Sequence, residues 1–477
     1  MKLRTILLLP ILFLQTIAFA QGLKIEPYMF ISSAKDTVQA ELGTFKVLED
    51  RTSSATDSIQ LAFLRFKSTN PNPGSPIIYL AGGPGGSGTG TAKRGRFELF
   101  MKLREVADVI AFDQRGTGLS HNLPNCPYRA DFELAKAINK PEYIRETTKI
   151  IKECMAFWQK ENVNIKAYNT TENAKDIDRL RKVLGADKIS IWGISYGSHL
   201  AFEYIRRFEN NIDKMVLASL EGPNETIKLP EDTEDFILKI AQLAKNNYGA
   251  EVKYPNLKKK IKAVHERLKS KPVKSTFTNR RGKIDTVGIS NFELQSAIAT
   301  FYLKNPGDSK KLPKVYTQMY NGDFSAIAPQ VMIMKRYVFS NIRPMSFSMD
   351  MQSGISRKRA KQIDRQINKT ILGSTLNFLL FEWMNTLAYP QLSDSFRELK
   401  TNKVNALLLS GTLDGRTYVS SGKKIAEKFQ NSKHVIIENA GHDLYMQSPL
   451  IGEMVLDFFK GKKPNTNRIV LEPIKFK

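Results

Sequence analysis

Short apolar runs that stop at glycine-rich turns recur in the first half of the chain. The run Ile77–Leu80 ends at AGGPGGSG, and the run Val109–Phe112 ends at a turn that carries Asp113, Arg115 and Gly116. Unbroken apolar runs of this length are typical of strands that are buried on both faces. Strands that end in such loops, with helical stretches between them, predict a mostly parallel sheet flanked by helices, with functional residues at its carboxyl edge.

Two segments between Thr44 and Thr69 predict an antiparallel hairpin. TFKVLEDR and SIQLAFLRF are rich in apolar residues, and they flank the polar stretch Thr52–Asp57, which has the composition of a turn. A helix is predicted at TTENAKDIDRLRKVLG, where either of the first two threonines can cap the start and Gly185 ends the apolar stripe.

The segment WGISYGSHL places Ser195 between a predicted strand and a predicted helix. The strand is KISIWGIS, and the helix YGSHLAFEYIRRF repeats an apolar side chain every four residues from Leu200. Gly193 and Gly197 let strand and helix approach closely, which forces the serine backbone into a strained turn and exposes its hydroxyl. The spacing therefore predicts a nucleophile, not a serine in an ordinary small-residue loop.

The alternation of strands and helices stops after the predicted strand KMVLASLEG. Residues 223–396 contain helix-like segments such as TEDFILKIAQLAKNN and TLNFLLFEWMNTLA, and strand-like runs resume at VNALLLSGTLDG. We predict a mainly helical cap, 223–396, inserted between two parts of an α/β core, 21–222 and 397–477. An independent domain at 223–396 is the alternative.

A serine hydroxyl needs a base to take its proton and an anion to orient that base. Of the five histidines, His442 alone stands directly after a strand-like run, HVIIENAGH, on a loop at the same predicted edge as Ser195. The other four are His121 in a turn, His199 on the helix after Ser195 and pointing away from it, His265 in the cap and His434 at a strand start.

The predicted acid is Asp414, which follows the strand-like run NALLLSG and precedes His442 by 28 residues. The order serine, aspartate, histidine is the one that this class of fold uses. Glu221 also follows a predicted strand and is the rival acid. We expect Asp113 and Arg115 to hold the neighbouring loop by an internal ion pair and to take no part in the chemistry.

A serine attack on a carbonyl also needs donors for the resulting oxyanion. The amide of Tyr196 lies at the predicted helix N-terminus, and AGGPGG supplies a second loop at a strand end, where Gly82 and Gly83 carry no side chain to block a substrate. The glycines are not followed by Lys-Ser or Lys-Thr, which excludes a phosphate-binding loop.

The formal net charge of +25 makes nucleic acid a partner to consider. The cations are spread along the chain, with the densest clusters at Lys258–Lys262 and Arg357–Arg365, and no recognition motif or aromatic-interleaved basic ladder accompanies them. We therefore expect a solvated basic surface that attracts anionic lipids or acidic peptides weakly, and no nucleic-acid partner.

The first 20 residues have the pattern of a cleavable secretory signal. Lys2 and Arg4 precede the apolar run Ile6–Ala20, which is too short to span a bilayer and ends in AFA, so we expect a mature chain that begins near Gln21. No later run reaches the length of a membrane span, which predicts an exported protein without a transmembrane segment, periplasmic or extracellular.

The chain contains two cysteines, Cys126 and Cys154. In an oxidising compartment such a pair most simply forms one disulfide, and two unpaired buried thiols are the alternative.

Five motifs taken together, GGPGGSG, DQRGTGLS, GISYGS, SGTLDGRT and AGH, resemble the α/β-hydrolase serine peptidases of the prolyl iminopeptidase and tripeptidyl aminopeptidase group. The resemblance extends over residues 75–222 and 403–460. It implies an α/β-hydrolase fold in which Ser195 is the nucleophile, Asp414 the orienting acid and His442 the base. It further implies that the amides of Gly83 and Tyr196 form the oxyanion hole, with Gly82 as an alternative donor.

One position departs from the prolyl iminopeptidase pattern. These enzymes typically carry His-Gly-Gly-Pro-Gly, and Ala81 stands here at the histidine position, so strict proline specificity is not implied. The signal segment, the cysteine pair and the large cap are more similar to the secreted tripeptidyl aminopeptidase branch.

The sequence thus predicts an exported serine aminopeptidase that acts on peptides through an acyl-enzyme, with no metal or organic cofactor. Carboxylates at the start of the cap are expected to bind the substrate's α-ammonium, and Glu221 is the named candidate among Glu221, Glu225, Asp232 and Glu234. An esterase with the same triad and a non-catalytic binding protein on the same fold are the alternatives.

Overall fold

A computed structural model describes residues 22–53 and 57–476 of the 477-residue chain. The predicted signal segment, 1–20, and part of the predicted turn at 52–57 lie outside the described residues. Within them, ten strands form one large mixed sheet and two more form a separate hairpin. No helix in these ranges is both long enough and apolar enough to cross a membrane.

The large sheet is antiparallel at one end and parallel over the rest, in the order β1-β2-β3-β5-β4-β6-β7-β10-β11-β12. The strands are β1 Lys24–Ile31, β2 Thr37–Leu48, β3 Ser58–Phe66, β4 Ile77–Leu80, β5 Val109–Asp113, β6 Ile189–Ser195, β7 Ile212–Leu220, β8 Val273–Thr278, β9 Ile284–Ile289, β10 Asn402–Gly411, β11 Phe429–Glu438 and β12 Arg468–Val470. The predicted mostly parallel sheet is confirmed, and the predicted hairpin is β2 and β3.

Helices cover both faces of this sheet and fill the long connection between β7 and β10. They are α1 Gly88–Ala92, α2 Phe97–Leu103, α3 Lys140–Lys160, α4 Thr170–Val183, α5 Tyr196–Phe208, α6 Pro230–Lys245, α7 Ala250–Lys253, α8 Leu257–Ser270, α9 Asn291–Phe301, α10 Pro306–Ser309, α11 Leu312–Tyr320, α12 Ala328–Ile333, α13 Pro344–Ser353, α14 Arg357–Ile367, α15 Leu380–Thr386, α16 Val419–Ala426 and α17 Pro449–Phe459.

The central strands are buried on both faces, as their unbroken apolar sequences require. In β4 the side chains alternate, so that Ile78 and Leu80 join the core on the side of α4 and α5, whereas Ile77 and Tyr79 join the core on the side of α2 and α17. The sheet is therefore held between two apolar layers, and its carboxyl edge is the surface left for function.

The connection between β7 and β10 is mainly helical, from α6 to α15, and it also contains the antiparallel hairpin of β8 and β9. Sequence analysis missed this hairpin. Its first strand, VKSTFT, alternates between exposed and partly buried residues, and its apolar positions are too few to stand out beside the helices. The limits 223 and 396 of a separate cap stay a prediction.

Two other local expectations have clear outcomes. Cys126 and Cys154 form a disulfide, which confirms the predicted pairing. The start of α4 differs from the prediction, because Asn169 caps it by accepting a hydrogen bond from the amide of Glu172. The Thr170 hydroxyl is instead 3.0 Å from the Tyr196 hydroxyl, a tertiary contact that local sequence does not reveal.

Candidate active site

Ser195 ends β6 and immediately precedes α5. Its backbone has φ 56° and ψ −125°, a combination that a residue with a Cβ rarely adopts. Such strain persists only where the surrounding structure imposes it, and here a buried strand and a buried helix hold both sides of the turn. The strained turn places the Ser195 side chain, which is only partly buried, at the carboxyl edge of the sheet.

The glycines around Ser195 are required by close packing. A Cβ on Gly193 would lie 3.2 Å from the carbonyl oxygen of Gly197, so the strand and the first turn of the helix almost touch. A Cβ on Gly197 would overlap the main-chain carbonyl of Leu80 at the end of β4. The spacing of the two glycines thus reflects the approach of β6, α5 and β4 at this corner.

His442 and Asp414 form a hydrogen-bonded pair on the loops after β11 and β10. His442 Nδ1 lies 2.9 Å from Asp414 Oδ2 and 3.1 Å from Oδ1. Asp414 is 2% exposed, and its carboxylate also accepts hydrogen bonds from the amides of Arg416 and Thr417 and from the Thr417 hydroxyl, the last at 2.5 Å. The aspartate is therefore fixed by its own loop.

The electrostatics of the pair favour an ionised aspartate. Burial alone would raise the pKa of Asp414, but the His442 ring and the hydrogen bonds from His442 and Thr417 outweigh it and hold that pKa below the usual carboxyl value. An anion at this position keeps the Nδ1 proton on the imidazole and directs Nε2 away from the aspartate.

The backbone of His442 is anchored on both sides. Its carbonyl accepts a hydrogen bond from the Ser219 hydroxyl at 2.7 Å, and its amide donates to the carbonyl of Lys304 at 2.9 Å. Within the described ranges, the ring forms hydrogen bonds through Nδ1 only, and the Ser195 hydroxyl forms none. Ser195 and His442 line the same cavity, and a hydrogen bond between such groups commonly tightens only when substrate binds.

The other histidines have different surroundings. His199 is fully buried and contacts the carbonyl of Gly222 and the hydroxyl of Ser353, and burial keeps its pKa below the ordinary value. His265 is held by Asn291 and Tyr316 in the helical connection. His434, expected at a strand start, lies inside β11, where it contacts the Ser410 hydroxyl.

The glycine loop after β4 packs directly against Ser195. A Cβ on Gly82 would lie 2.9 Å from the carbonyl oxygen of Ile194 and 3.1 Å from the Cβ of Ser195, so a side chain there would displace the turn. The loop is closed by the amide of Gly86, which donates to the carbonyl of Gly82. Tyr196 is the first residue of α5, where amides lack partners within the helix.

The expected ion pair between Asp113 and Arg115 is wrong. Asp113 accepts hydrogen bonds from the hydroxyls of Ser87 and Thr89 and so anchors the start of α1. Arg115 is fully buried and donates to Asp176 on α4 at 2.7 Å. Each residue joins its loop to a distant element, because the partners are supplied by tertiary packing.

The cavity at Ser195 has a volume of about 360 Å³, and many of the residues that line it are ionisable. Its acidic and basic residues are Arg96, Glu221, Lys228, Lys304, Asp350, Arg416, His442 and Asp443. Glu221 forms an ion pair with Lys228 at 2.9 Å, so the rival acid is engaged with a lysine and Asp414 is the carboxylate beside His442. Sequence reasoning missed Asp350 and the side chain of Arg416, although Arg416 stands in the SGTLDGRT motif.

The sheet order, the strained serine turn and the histidine loop together define an α/β hydrolase. A sequence model of the family described as alpha/beta hydrolase fold matches residues 75–449, and the chain belongs to that family.

Three curated relatives share part of the sequence. Serine protease Hip1 of Mycobacterium tuberculosis is 33% identical over 205 residues, which cover 41% of this chain and 38% of that protein. Tripeptidyl aminopeptidase of Streptomyces lividans is 31% identical over 31% of this chain and 29% of its own length. Proline iminopeptidase of Neisseria gonorrhoeae is 28% identical over 38% of this chain and 47% of its own length. The matches thus span less than half of each relative, and they place the chain among hydrolases with serine peptidase relatives.

Proposed function

We propose that the protein is an exported serine peptidase that removes residues from free N-termini. The observation that carries the proposal is the meeting of two groups at one cavity, the strained Ser195 and the His442 ring whose Nδ1 is bound to Asp414. Their catalytic roles are predictions from sequence, and this arrangement supports them. The names of the relatives support a peptidase, although the matches are partial.

The proposed reaction starts when His442 Nε2 takes the proton of the Ser195 hydroxyl as its oxygen attacks the scissile carbonyl. Asp414 stabilises the imidazolium that forms, and the amides of Gly83 and Tyr196, with Gly82 as the alternative donor, bind the oxyanion. His442 then gives the proton to the leaving amine, which leaves an acyl-enzyme on Ser195. Water, activated by the same imidazole, releases the product.

Two carboxyl groups in the cavity support recognition of a free N-terminus. Glu221 is paired with Lys228, whereas Asp350 on α13 forms no ion pair with any described residue. Burial and the nearby Glu221 raise the pKa of Asp350 well above the usual carboxyl value, because the charge of Lys228 opposes them only in part and no cation in contact with Asp350 completes the offset. An α-ammonium between these groups would supply that cation.

Export is the second part of the proposal. The disulfide between Cys126 and Cys154 supports an oxidising compartment, and the predicted signal segment gives a route to one.

The test combines active-site labelling with a substrate panel. We expect a fluorophosphonate probe to label the folded mature protein and not its Ser195→Ala variant. We expect aminoacyl or tripeptidyl amides to be cleaved only when their N-termini are free, because acetylation removes the ammonium. Rapid cleavage of simple esters with indifference to acetylation would indicate the esterase alternative. Absence of labelling in a folded sample would indicate the non-catalytic alternative.

A further inference from the structure

The cations of the catalytic cavity differ in whether a carboxylate neutralises them. Lys228 Nζ lies 2.9 Å from Glu221, Lys304 Nζ lies 2.9 Å from Asp443, and Arg96 lies 3.5 Å from the same aspartate. Arg416 is the exception, because among residues 22–53 and 57–476 no carboxylate lies within 4.0 Å of its guanidinium.

Most donors of the Arg416 side chain are unused. Its backbone amide holds Asp414 at 2.8 Å, and its Nη1 donates to the carbonyl of Leu376 across a long 3.4 Å. In the described part of the chain, Nε and Nη2 have no hydrogen-bond partner. A guanidinium carries five N–H donors in a planar fork, so most of this fork remains available to a molecule in the cavity.

The surroundings of Arg416 favour an anionic partner. Burial lowers the pKa of its guanidinium below the usual value, because the surrounding protein has replaced part of its water. This effect outweighs the opposite one of Tyr418, Asp414 and Glu221, none of which forms a hydrogen bond or an ion pair with the guanidinium. The apolar residues Leu376, Phe378 and Leu380 line the same cavity, and apolar walls strengthen a charge-assisted hydrogen bond. A carboxylate matches the arginine fork with two parallel hydrogen bonds, and an ammonium would be repelled.

We propose that Arg416 is a specificity determinant that binds a carboxylate of the peptide substrate, either its C-terminal carboxylate or an acidic side chain. The inference rests on the proposed peptidase function. It assigns opposite charges of the substrate to different residues of one cavity, the ammonium to Glu221 and Asp350 and the carboxylate to Arg416. Short peptides with both charges would then be preferred over peptides of the same length that carry the ammonium and no carboxylate.

The experiment compares matched substrates in wild type and in Arg416→Gln. One arm uses a short peptide with a free C-terminus and the same peptide as its C-terminal amide. The second arm uses C-terminal amides that differ only by Glu or Gln in the side chain. We expect wild type to show a kcat/KM higher by about tenfold or more for the carboxylate member of at least one arm, the size of a charge-assisted hydrogen bond. The arm with the preference identifies the source of the carboxylate.

Arg416→Gln should remove that preference, because it lowers kcat/KM for the member with the carboxylate by about tenfold more than for the member without it. Arg416→Lys should keep part of the preference, because the charge remains and the fork is lost. Lys304→Gln is the matched control, because it removes a cavity cation that is already paired. It should leave the ratio of kcat/KM between the substrates with and without the carboxylate unchanged. A role limited to supporting Asp414 would lower both members equally, and that result would overturn the proposal, as would a wild type without preference in either arm.

Binding to the Ser195→Ala variant separates this inference from the proposed function. Calorimetric titration with the same peptides measures the preference without turnover. Tighter binding of the carboxylate member that disappears in the Ser195→Ala, Arg416→Gln double variant supports the site even if wild type cleaves no peptide. Equal binding of both members overturns it even if peptides are cleaved.

Discussion

Gly197, in the first turn of α5, packs against the main-chain carbonyl of Leu80 at the end of β4, and a Cβ on the glycine would overlap that carbonyl. The contact joins the helix that follows Ser195 to the strand that precedes the glycine loop. Main-chain atoms on both sides cannot move without shifting the sheet, so the position of the candidate nucleophile depends on this packing.

Gly197→Ala should therefore destabilise the protein and abolish labelling of Ser195 by a fluorophosphonate. Overpacking against backbone costs about 3 kcal/mol or more, which corresponds to a fall of a few degrees in Tm for a chain of this length. The matched control is Gly307→Ala in α10, where a Cβ would meet no atom within 4 Å. Thermal unfolding and labelling check both variants, and a Gly197→Ala protein as stable and as reactive as Gly307→Ala would contradict the packing argument.

Thr417 is expected to position the candidate acid. Its hydroxyl donates to Asp414 Oδ2 at 2.5 Å, so Thr417→Val removes a donor while keeping the shape of the side chain. We expect kcat/KM to fall by about tenfold and Thr417→Ser to restore most of it, since serine retains the hydroxyl.

The same variant has a predicted pH dependence. Asp414 has a pKa held below the usual value, so its stabilisation is present above the pKa of an unfolded aspartate and is lost as pH falls through the folded pKa. Removing the Thr417 hydrogen bond raises the folded pKa, and the loss should begin at a higher pH. Acid unfolding followed by fluorescence measures the midpoint. An unchanged midpoint with reduced activity would show that the hydroxyl does not tune the carboxylate.

The elements around the candidate triad could be predicted because their signals are local. Gly193, Ser195 and Gly197 lie within five residues, between a strand pattern and a helix pattern, and the serine turn has the strained backbone that this spacing requires. Asp414 and His442 could be placed because each follows a strand of the parallel part of the sheet, and parallel strands bring their carboxyl ends to one edge.

The charges that complete the cavity could not be predicted in the same way. Asp350 lies on α13, which docks on the glycine loop through a hydrogen bond from the Ser346 hydroxyl to the carbonyl of Pro84 at 2.8 Å. That contact joins residues 262 positions apart, and no local pattern near Asp350 indicates it. The wrong pairing of Arg115 has the same cause, since its partner Asp176 belongs to another element.

Asp350 is expected to lower the stability of the fold, although it binds the substrate's α-ammonium in the proposed function. Its pKa is raised by burial first and by Glu221 second, so the folded pKa exceeds the unfolded pKa, and the carboxyl lowers the stability of the fold as pH rises above the unfolded pKa near 4. Asp350→Asn should therefore raise Tm at pH 7 to 8, and the gain should shrink as pH falls toward 4. The variant should also raise KM for substrates with a free N-terminus. Glu221→Gln is the contrasting variant, because it leaves Lys228 without its ion pair and should lower Tm.

The disulfide between Cys126 and Cys154 is expected to stabilise the fold by constraining the unfolded chain. It ties the loop before α3 to the body of that helix across 28 residues, and closing a loop of this length contributes about 3 to 4 kcal/mol in the chain-entropy account. A Cys126→Ser, Cys154→Ser double variant should unfold a few degrees below wild type. Reductant should lower the Tm of wild type toward that of the double variant and leave the variant itself unaffected, which separates loss of the bond from other effects of the reductant. Equal Tm values for wild type and the double variant in the absence of reductant would show that the loop is already constrained by its packing on α3.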